Sequence, residues 1–393
     1  MKLAATDKVP RLFGMLQALV RTPSISSSAA QLDMSNYAVI ELLAGWLEAL
    51  GFSVQITPIA AQPALPGKPQ KANLIATLGR GPGGLVLSGH TDTVPYDQHS
   101  WSIDPFQLTE KNARWYGLGA TDMKGFFPVA IEAAKAFVDQ QLQQPLIILA
   151  TADEESSMDG ARQLVQQGQP KARFAVIGEP TDLKPARLHK GIMMESITIV
   201  GRSGHSSDPG LGNNALEAMH EVIGDLLTFR SELQTRYRND AFEVAVPTLN
   251  LGCIHGGDNP NRICGECELH FDLRPLPGMD IDELRRAIAA RLQPFAEKRR
   301  INIQLRSLFP GIQPFEQLAD SPLIKAIEQL TGHSSGTVGF ATEAPFLQQL
   351  GMDTVVFGPG SIKQAHQPDE YVEISQLQPA VEALRALIKK FCL

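Results

Sequence analysis

Three short apolar runs in the first half of the chain each break off in histidine or acid: "LVLSGHTD" (85–92), "PLIILATADEE" (145–155) and "FAVIGEPT" (174–181). Unbroken apolar runs of this length, without alternation, are what strands buried on both faces look like. Segments with helical periodicity lie around them. "SNYAVIELLAGWLEAL" (35–50) puts Ile40, Leu43, Leu47 and Leu50 on one stripe that Gly51 ends, and "GFFPVAIEAAKAFVDQQ" (125–141) separates the first run from the second. Strands alternating with helices predict an α/β domain with a mostly parallel sheet flanked by helices. In such sheets ligands sit outside the carboxyl ends of the strands, and His90, Glu154, Glu155 and Glu179 all fall there.

From about residue 186 the texture changes. "ARLHKGIMMESITIVGR" alternates as a strand, and residues 213–237 read as one long helix. Strands follow near 247–255 and 262–274, then a helix near 280–298 and the strand "RINIQLRS". Strands segregated from two helices predict a smaller α+β sandwich inserted into the larger domain. After "FPGIQPF" the first texture resumes, with a strand at 353–361 and a terminal amphipathic helix near 375–391. The expected organisation is a discontinuous domain of residues 1–185 and 310–393 interrupted by a domain of 186–309. No internal repeat or low-complexity segment is present. The Pro-rich stretch 60–70 predicts a solvated loop, and "LGRGPGGLVL" a tight turn between strands, since it lacks the Lys-Ser/Thr and the spacing of a phosphate loop.

A length of 393 residues suits two domains, and 43% hydrophobic with 20% charged residues is ordinary for a globular chain. No apolar run has spanning length, and the start, "MKLAATDKVP", has no signal-peptide core, so a soluble cytoplasmic protein is expected. The net charge of -7 carries no basic stripe, which argues against nucleic acid, and nothing points to a membrane. Four cysteines make no disulfide framework. Cys264 and Cys267 form a C-x-x-C, but the surrounding alternation predicts a strand that sends them to opposite faces, and no second pair completes a zinc site.

Two adjacent glutamates at a strand end repel each other and lose hydration there. A solvated loop is the ordinary explanation, and it loses ground once the other strand-end residues are added. His90 and Asp92 in "SGHTDTVP" point the same way on an extended strand, so the carboxylate is placed to hold the ring's second N–H, although such a pair alone is more often a surface pair. Asp122 in "YGLGATDMKGFF" stands at the mouth of a helix, where an N-cap role would also explain it. His366 follows a strand in "GPGSIKQAHQPDEYV" and alone would be incidental. Together, two histidines and three or four carboxylates at one sheet edge suit a pair of divalent metals with N and O ligands, zinc being favoured by the imidazoles and cobalt the alternative. Four positive charges would make the acidic cluster tolerable.

"GHTDTVP", "GLGATDMKG", "TADEE", "IGEP" and "HQPDEY", in this order and with the inserted domain, resemble the dinuclear zinc amidohydrolase and exopeptidase family that includes carboxypeptidase G and succinyl-diaminopimelate desuccinylase. The resemblance runs along nearly the whole chain. It implies that His90 and Glu179 hold one metal and His366 and Glu155 the other, with Asp122 bridging. It implies that Glu154 carries the proton in amide hydrolysis of an N-acyl amino acid, with Asp92 behind His90. The smaller domain becomes a lid and dimerisation domain, and His205 in "GRSGHSSDP" reaches the partner's site in a homodimer to steady an oxyanion. Asn261 and Arg274 match positions that bind the substrate carboxylate, Asn261 across the dimer, and a guanidinium suits that group. Glu343 in "FATEAPF" is expected to pair with a cationic substrate end. Without the resemblance, His205 reads as a loop histidine, Arg274 as an exposed strand arginine and Glu343 as a common loop glutamate. A general aminoacylase or dipeptidase shares the same ligands, and a noncatalytic amino-acid-binding relative is the reading from another class.

Overall fold

The computed structural model describes residues 5–59 and 69–393, so the Pro-rich stretch lies, apart from its last two residues, outside the described residues. The chain divides into two compact units: residues 1–187, 317–336 and 342–393 form one, and residues 188–316 with 337–341 form the other. Among the described residues no helix is long and apolar enough to cross a membrane.

In the larger unit a twisted sheet runs in the order Ser53–Pro58, Ala72–Leu78, Leu146–Thr151, Leu85–His90, Phe174–Ile177, Asp353–Val356. The last four strands are mutually parallel, and the first two are antiparallel to their neighbours. This is the expected mostly parallel α/β sheet. Leu85–His90 and Leu146–Thr151 are buried at every position, which is why they read as unbroken apolar runs. Leu85, Leu87, Leu146, Ile148 and Val176 face a core with Leu16, Leu43, Phe127, Ile131, Leu384 and Ile388 from the helices Leu12–Val20, Tyr37–Ala49, Phe126–Ala134 and Ile374–Cys392. The alternate residues Val86, Ile147, Leu149 and Ile177 are buried as well. Burying an aliphatic side chain contributes about 1.5–3 kcal/mol, so both faces stabilise the strands that carry the site.

The Gly-rich segment 79–84 connects two strands, as expected, but these strands are not hydrogen-bonded neighbours. Ala72–Leu78 and Leu85–His90 both flank Leu146–Thr151, so the connection steps past the start of a third strand. Space there is tight: a Cβ on Gly84, whose φ is +93°, would meet the Pro145 carbonyl oxygen at 2.1 Å.

In the smaller unit an antiparallel sheet runs Thr248–Gly256, Glu266–Arg274, Met193–Val200, Asn302–Ser307, with a bulge between Leu251 and Cys253. The helices Ala215–Arg236 and Ile281–Arg299 bury Val222, Leu226, Leu284 and Ile288 against Ile197, Leu269, Phe271 and Leu273. Each helix opens on a side-chain cap: Asn214 accepts from the amides of Leu216 and Glu217, and Asp280 from those of Asp282 and Glu283. Arg291 joins the helices by bonding Asp225 and Glu232.

Cys264 and Cys267 do not point to opposite faces. The strand begins only at Glu266, so Cys264 turns inward from the preceding loop and both thiols lie in the same core. Burial, with Cys264 nearby, pushes the Cys267 thiol up to about 11.

Candidate metal centre

The parallel register sets the site. His90 pairs with Thr151, and Ser88 with Ile177, so three strands end at one edge and release His90, the 152–155 turn and Glu179 side by side. Gly178 lets this happen, since a Cβ there would overlap the Phe126 ring at 2.0 Å. Asp122 arrives from the loop before helix Phe126–Ala134, and His366 from the loop after strand Asp353–Val356.

Asp122 lies between the two imidazoles. Its Oδ1 is 3.1 Å from His90 Nε2 and its Oδ2 is 3.5 Å from His366 Nε2. Glu155 is 3.1 Å from His366 Nε2, and Glu179 Oε1 is 4.0 Å from His90 Nε2. Two ligand groups result, His90 with Glu154 and Glu179 and His90 with Asp122 and Glu155, each with its donor atoms within 4.8 Å of one another. The structure therefore brings together all five residues expected as metal ligands, and it leaves Glu154 close enough to His90 and Glu179 to join them. His90, Asp122 and Glu179 are buried, whereas His366 is exposed at the surface end of the cluster.

Burial and mutual repulsion dominate the electrostatics of the carboxylates. Burial, with Glu179, Glu155 and Glu343 around it, pushes Glu154 well above the usual carboxylate range, and burial with Asp122 does the same to Glu179. Glu155 moves up through burial and the charge of Asp122. Burial opposes ionisation of Asp122, yet its bonds to His366 and His90 hold it low. His366 is raised to about 10 by Asp122 and Glu155. His90 rises well above 6.5 despite burial, through Asp122, Glu179 and Glu154. A cluster of N and O donors carrying excess negative charge, with one carboxylate spanning both histidines, fits a pair of divalent ions.

Asp92 sits differently from the expectation. Its carboxylate is 3.6 Å from His90 Nδ1, and that nitrogen instead lies 3.0 Å from the Asp92 main-chain carbonyl. The carboxylate accepts the amides of Glu154 at 3.3 Å and Glu155 at 3.0 Å. Two N–H donors of a tight turn outcompete a ring N–H already satisfied by a nearer carbonyl. Asp92 thus fixes the imidazole through its backbone and the glutamate turn through its side chain.

Glu343 is not an open loop acid. It is 2% exposed at the start of helix Ala344–Gln349, accepts from Thr151 Oγ1 at 2.9 Å, and has no partner for Oε1 among the described residues. Burial pushes it up to about 7. The remaining candidates belong to the smaller unit. His205 is exposed, with Nδ1 2.7 Å from Ser207 Oγ, and the Asn261 carbonyl accepts the neighbouring Ser206 amide at 3.0 Å. Arg274 ends its strand with Nε on Asp272 at 2.8 Å.

Sequence reasoning passed over three buried groups. Glu370 accepts the amides of Gly119, Thr121 and Asp122, and burial pushes it up to about 8 against them. Lys71 bonds Asp33 and Asp153, the residue before Glu154, and Ser26 also donates to Asp153. Lys124, lowered to about 7 by burial, donates to the carbonyls of Leu19 and Thr22. Lys124 and Glu370 stand inside the quoted motifs, and their burial is the signal that a sequence does not display.

The family model for peptidase family M20/M25/M40 matches residues 86–390. The chain belongs to this family. The acetylornithine deacetylase of Proteus mirabilis is 49% identical over 386 residues, covering 98% of each chain. That of Pasteurella multocida is 48% identical over 385 residues, 98% of this chain and 99% of the other. Among solved structures, an M20 family metallo-carboxypeptidase from Sulfolobus solfataricus shares the fold with a TM-score of 0.71 at 18% identity, covering 97% of this chain and 99% of that one.

Proposed function

We propose that this family member hydrolyses the amide of N2-acetyl-L-ornithine with water to give L-ornithine and acetate, a step of arginine synthesis in the cytoplasm. The observation that carries the chemistry is the Asp122 carboxylate set between His90 and His366, with a glutamate beside each histidine. The substrate rests on the acetylornithine deacetylases that match this chain over nearly its full length.

His90 and Glu179 would hold one divalent ion, His366 and Glu155 the other, and Asp122 both; zinc is the metal proposed, with cobalt as substitute. When bound, such a pair supplies Lewis acidity, polarising a carbonyl and lowering the pKa of water. Glu154 takes one proton from the attacking water and delivers it to the amine nitrogen as the C–N bond breaks. Burial and the neighbouring Glu179 and Glu155 push its carboxyl upward, the direction that favours a group able to carry a proton. Asp92 orients this glutamate by holding its amide and that of Glu155.

The smaller unit serves as lid and dimerisation domain. His205 of a second copy steadies the oxyanion, and Asn261, beside it, joins Arg274 in binding the substrate carboxylate. Glu343, whose Oε1 has no partner among the described residues, takes a cationic group of the substrate.

The test is side-by-side hydrolysis of N2-acetylornithine and N-succinyl-diaminopimelate after chelation and after zinc or cobalt is restored. Metal-dependent acetate release from the first alone is expected. Turnover of only the second would keep the site and overturn the substrate. Activity on neither would leave the noncatalytic amino-acid-binding reading.

A further inference from the structure

His366, unlike His90, Glu155 and Glu179, is not released directly from a strand end. His90 and Glu179 leave adjacent parallel strands, whereas His366 stands exposed in a loop at φ +58°. That loop ends in two consecutive acids with unusual partners. Asp369 accepts the amide of Ser102 at 2.8 Å and its hydroxyl at 2.6 Å. Glu370, 2% exposed, accepts three amides, from Gly119 at 2.8 Å, Thr121 at 2.7 Å and Asp122 at 2.9 Å. Its carbonyl also accepts the Gly117 amide at 3.0 Å, and the next residues pair as a strand, Tyr371 with Tyr116.

We infer that Glu370 is a positioning residue for the second metal: it fixes the loop carrying Asp122 to the loop carrying His366 and so sets the spacing of the two donors. Three N–H groups converging on one buried carboxyl are more than a loop closure requires. The adjacent Asp369 holds the same loop from outside. Thr121, also buried, supports the same junction by donating its hydroxyl to the Tyr371 carbonyl, but only Glu370 gathers three main-chain amides of the Asp122 loop. The inference rests on the two-metal reading above.

Glu370→Gln tests it, because the amide keeps the size but turns an NH2 toward at least one amide donor. Metal-free wild type titrated with zinc by calorimetry should bind two equivalents. The variant should bind the first within about twofold of wild type and the second at least about tenfold more weakly, as supporting groups around metal ligands generally do. Excess zinc should restore kcat with KM unchanged. In a His366→Ala background, which keeps one equivalent, Glu370→Gln should add no further loss.

Equal binding of both equivalents by wild type and Glu370→Gln overturns the positioning role, as does an equal weakening of both, which marks a merely structural residue. A wild type that takes up only one equivalent fails the two-metal reading instead. Should Glu370→Gln not fold, Ser102→Ala decides at the solvent-facing end of the clamp. A severalfold weaker second site supports the inference, and an unchanged one overturns it.

Discussion

The two sets of candidate residues differ in how much of their geometry their own unit supplies. In the larger unit, His90, Asp122, Glu155, Glu179 and His366 contact one another, and the strand register alone places His90 beside the 152–155 turn. In the smaller unit, His205 bonds Ser207 and Arg274 bonds Asp272, so each is occupied by a near neighbour in sequence. The five candidate metal ligands therefore all lie within one unit. In the smaller unit no such convergence of candidates is found among the described residues, and their proposed tasks depend on the proposed second copy.

The largest effect expected is that of Glu154→Gln. If the first set carries the chemistry, turnover should fall by about 10²–10⁴ while metal stoichiometry by elemental analysis and the unfolding midpoint stay as in wild type. Near wild-type turnover would break the assignment of Glu154, and lost metal would make it a ligand, a role its place beside His90 and Glu179 allows.

His205→Ala should come next, lowering kcat by roughly 10²–10³ with metal content unchanged, the range seen when one oxyanion donor is removed. The comparison sharpens when the two variants are mixed and allowed to exchange subunits. If His205 acts in the partner's site, one site of the mixed dimer has both Glu154 and His205, and part of the activity returns. Activity that stays at the level of the separate variants would leave His205 acting within its own chain or not at all.

The strand ends were legible because a buried parallel strand is apolar throughout, so its end is marked where "LVLSG" and "PLIILA" give way to His90 and Glu154. The helix Tyr37–Ala49 was legible for the same reason, with Ile40, Leu43 and Leu47 buried as its stripe predicts. What the side chains do once released was not. Asp92 lies two residues from His90, but its carboxylate is drawn to amides 62 and 63 positions away. Glu370 reaches across 248 residues to the Asp122 amide, and no local pattern encodes that distance. Glu343 reads as a loop acid because its burial depends on packing around a short helix. The order of strands across the sheet was hidden as well, since the 79–84 segment looks like a turn whether or not its strands are neighbours. The roles expected of His205, Asn261 and Arg274 came from family resemblance alone, since their contacts within the smaller unit, to Ser207, Ser206 and Asp272, mark none of them as a site.

The smallest effect separates two buried imidazoles. His90 is raised despite burial because acids surround it, whereas His189, buried in the smaller unit with Nδ1 2.9 Å from the Lys190 carbonyl, is pushed by burial down to about 4. For His189 the unfolded chain, near 6.5, binds the proton more readily than the folded one. Stability from this group is therefore whole above pH 6.5 and is lost as pH falls toward 4. Between pH 7 and 5 the loss comes to roughly 2 kcal/mol, from 1.36 kcal/mol for each pH unit below the unfolded value. His189→Gln cannot titrate, so urea unfolding at the two pH values should show a smaller decline than wild type by about that amount. All other titrating groups are shared by the two proteins. Equal declines would mean that His189 accepts its proton in the folded unit without cost, and that the contrast with His90 lies in their partners alone and not in burial.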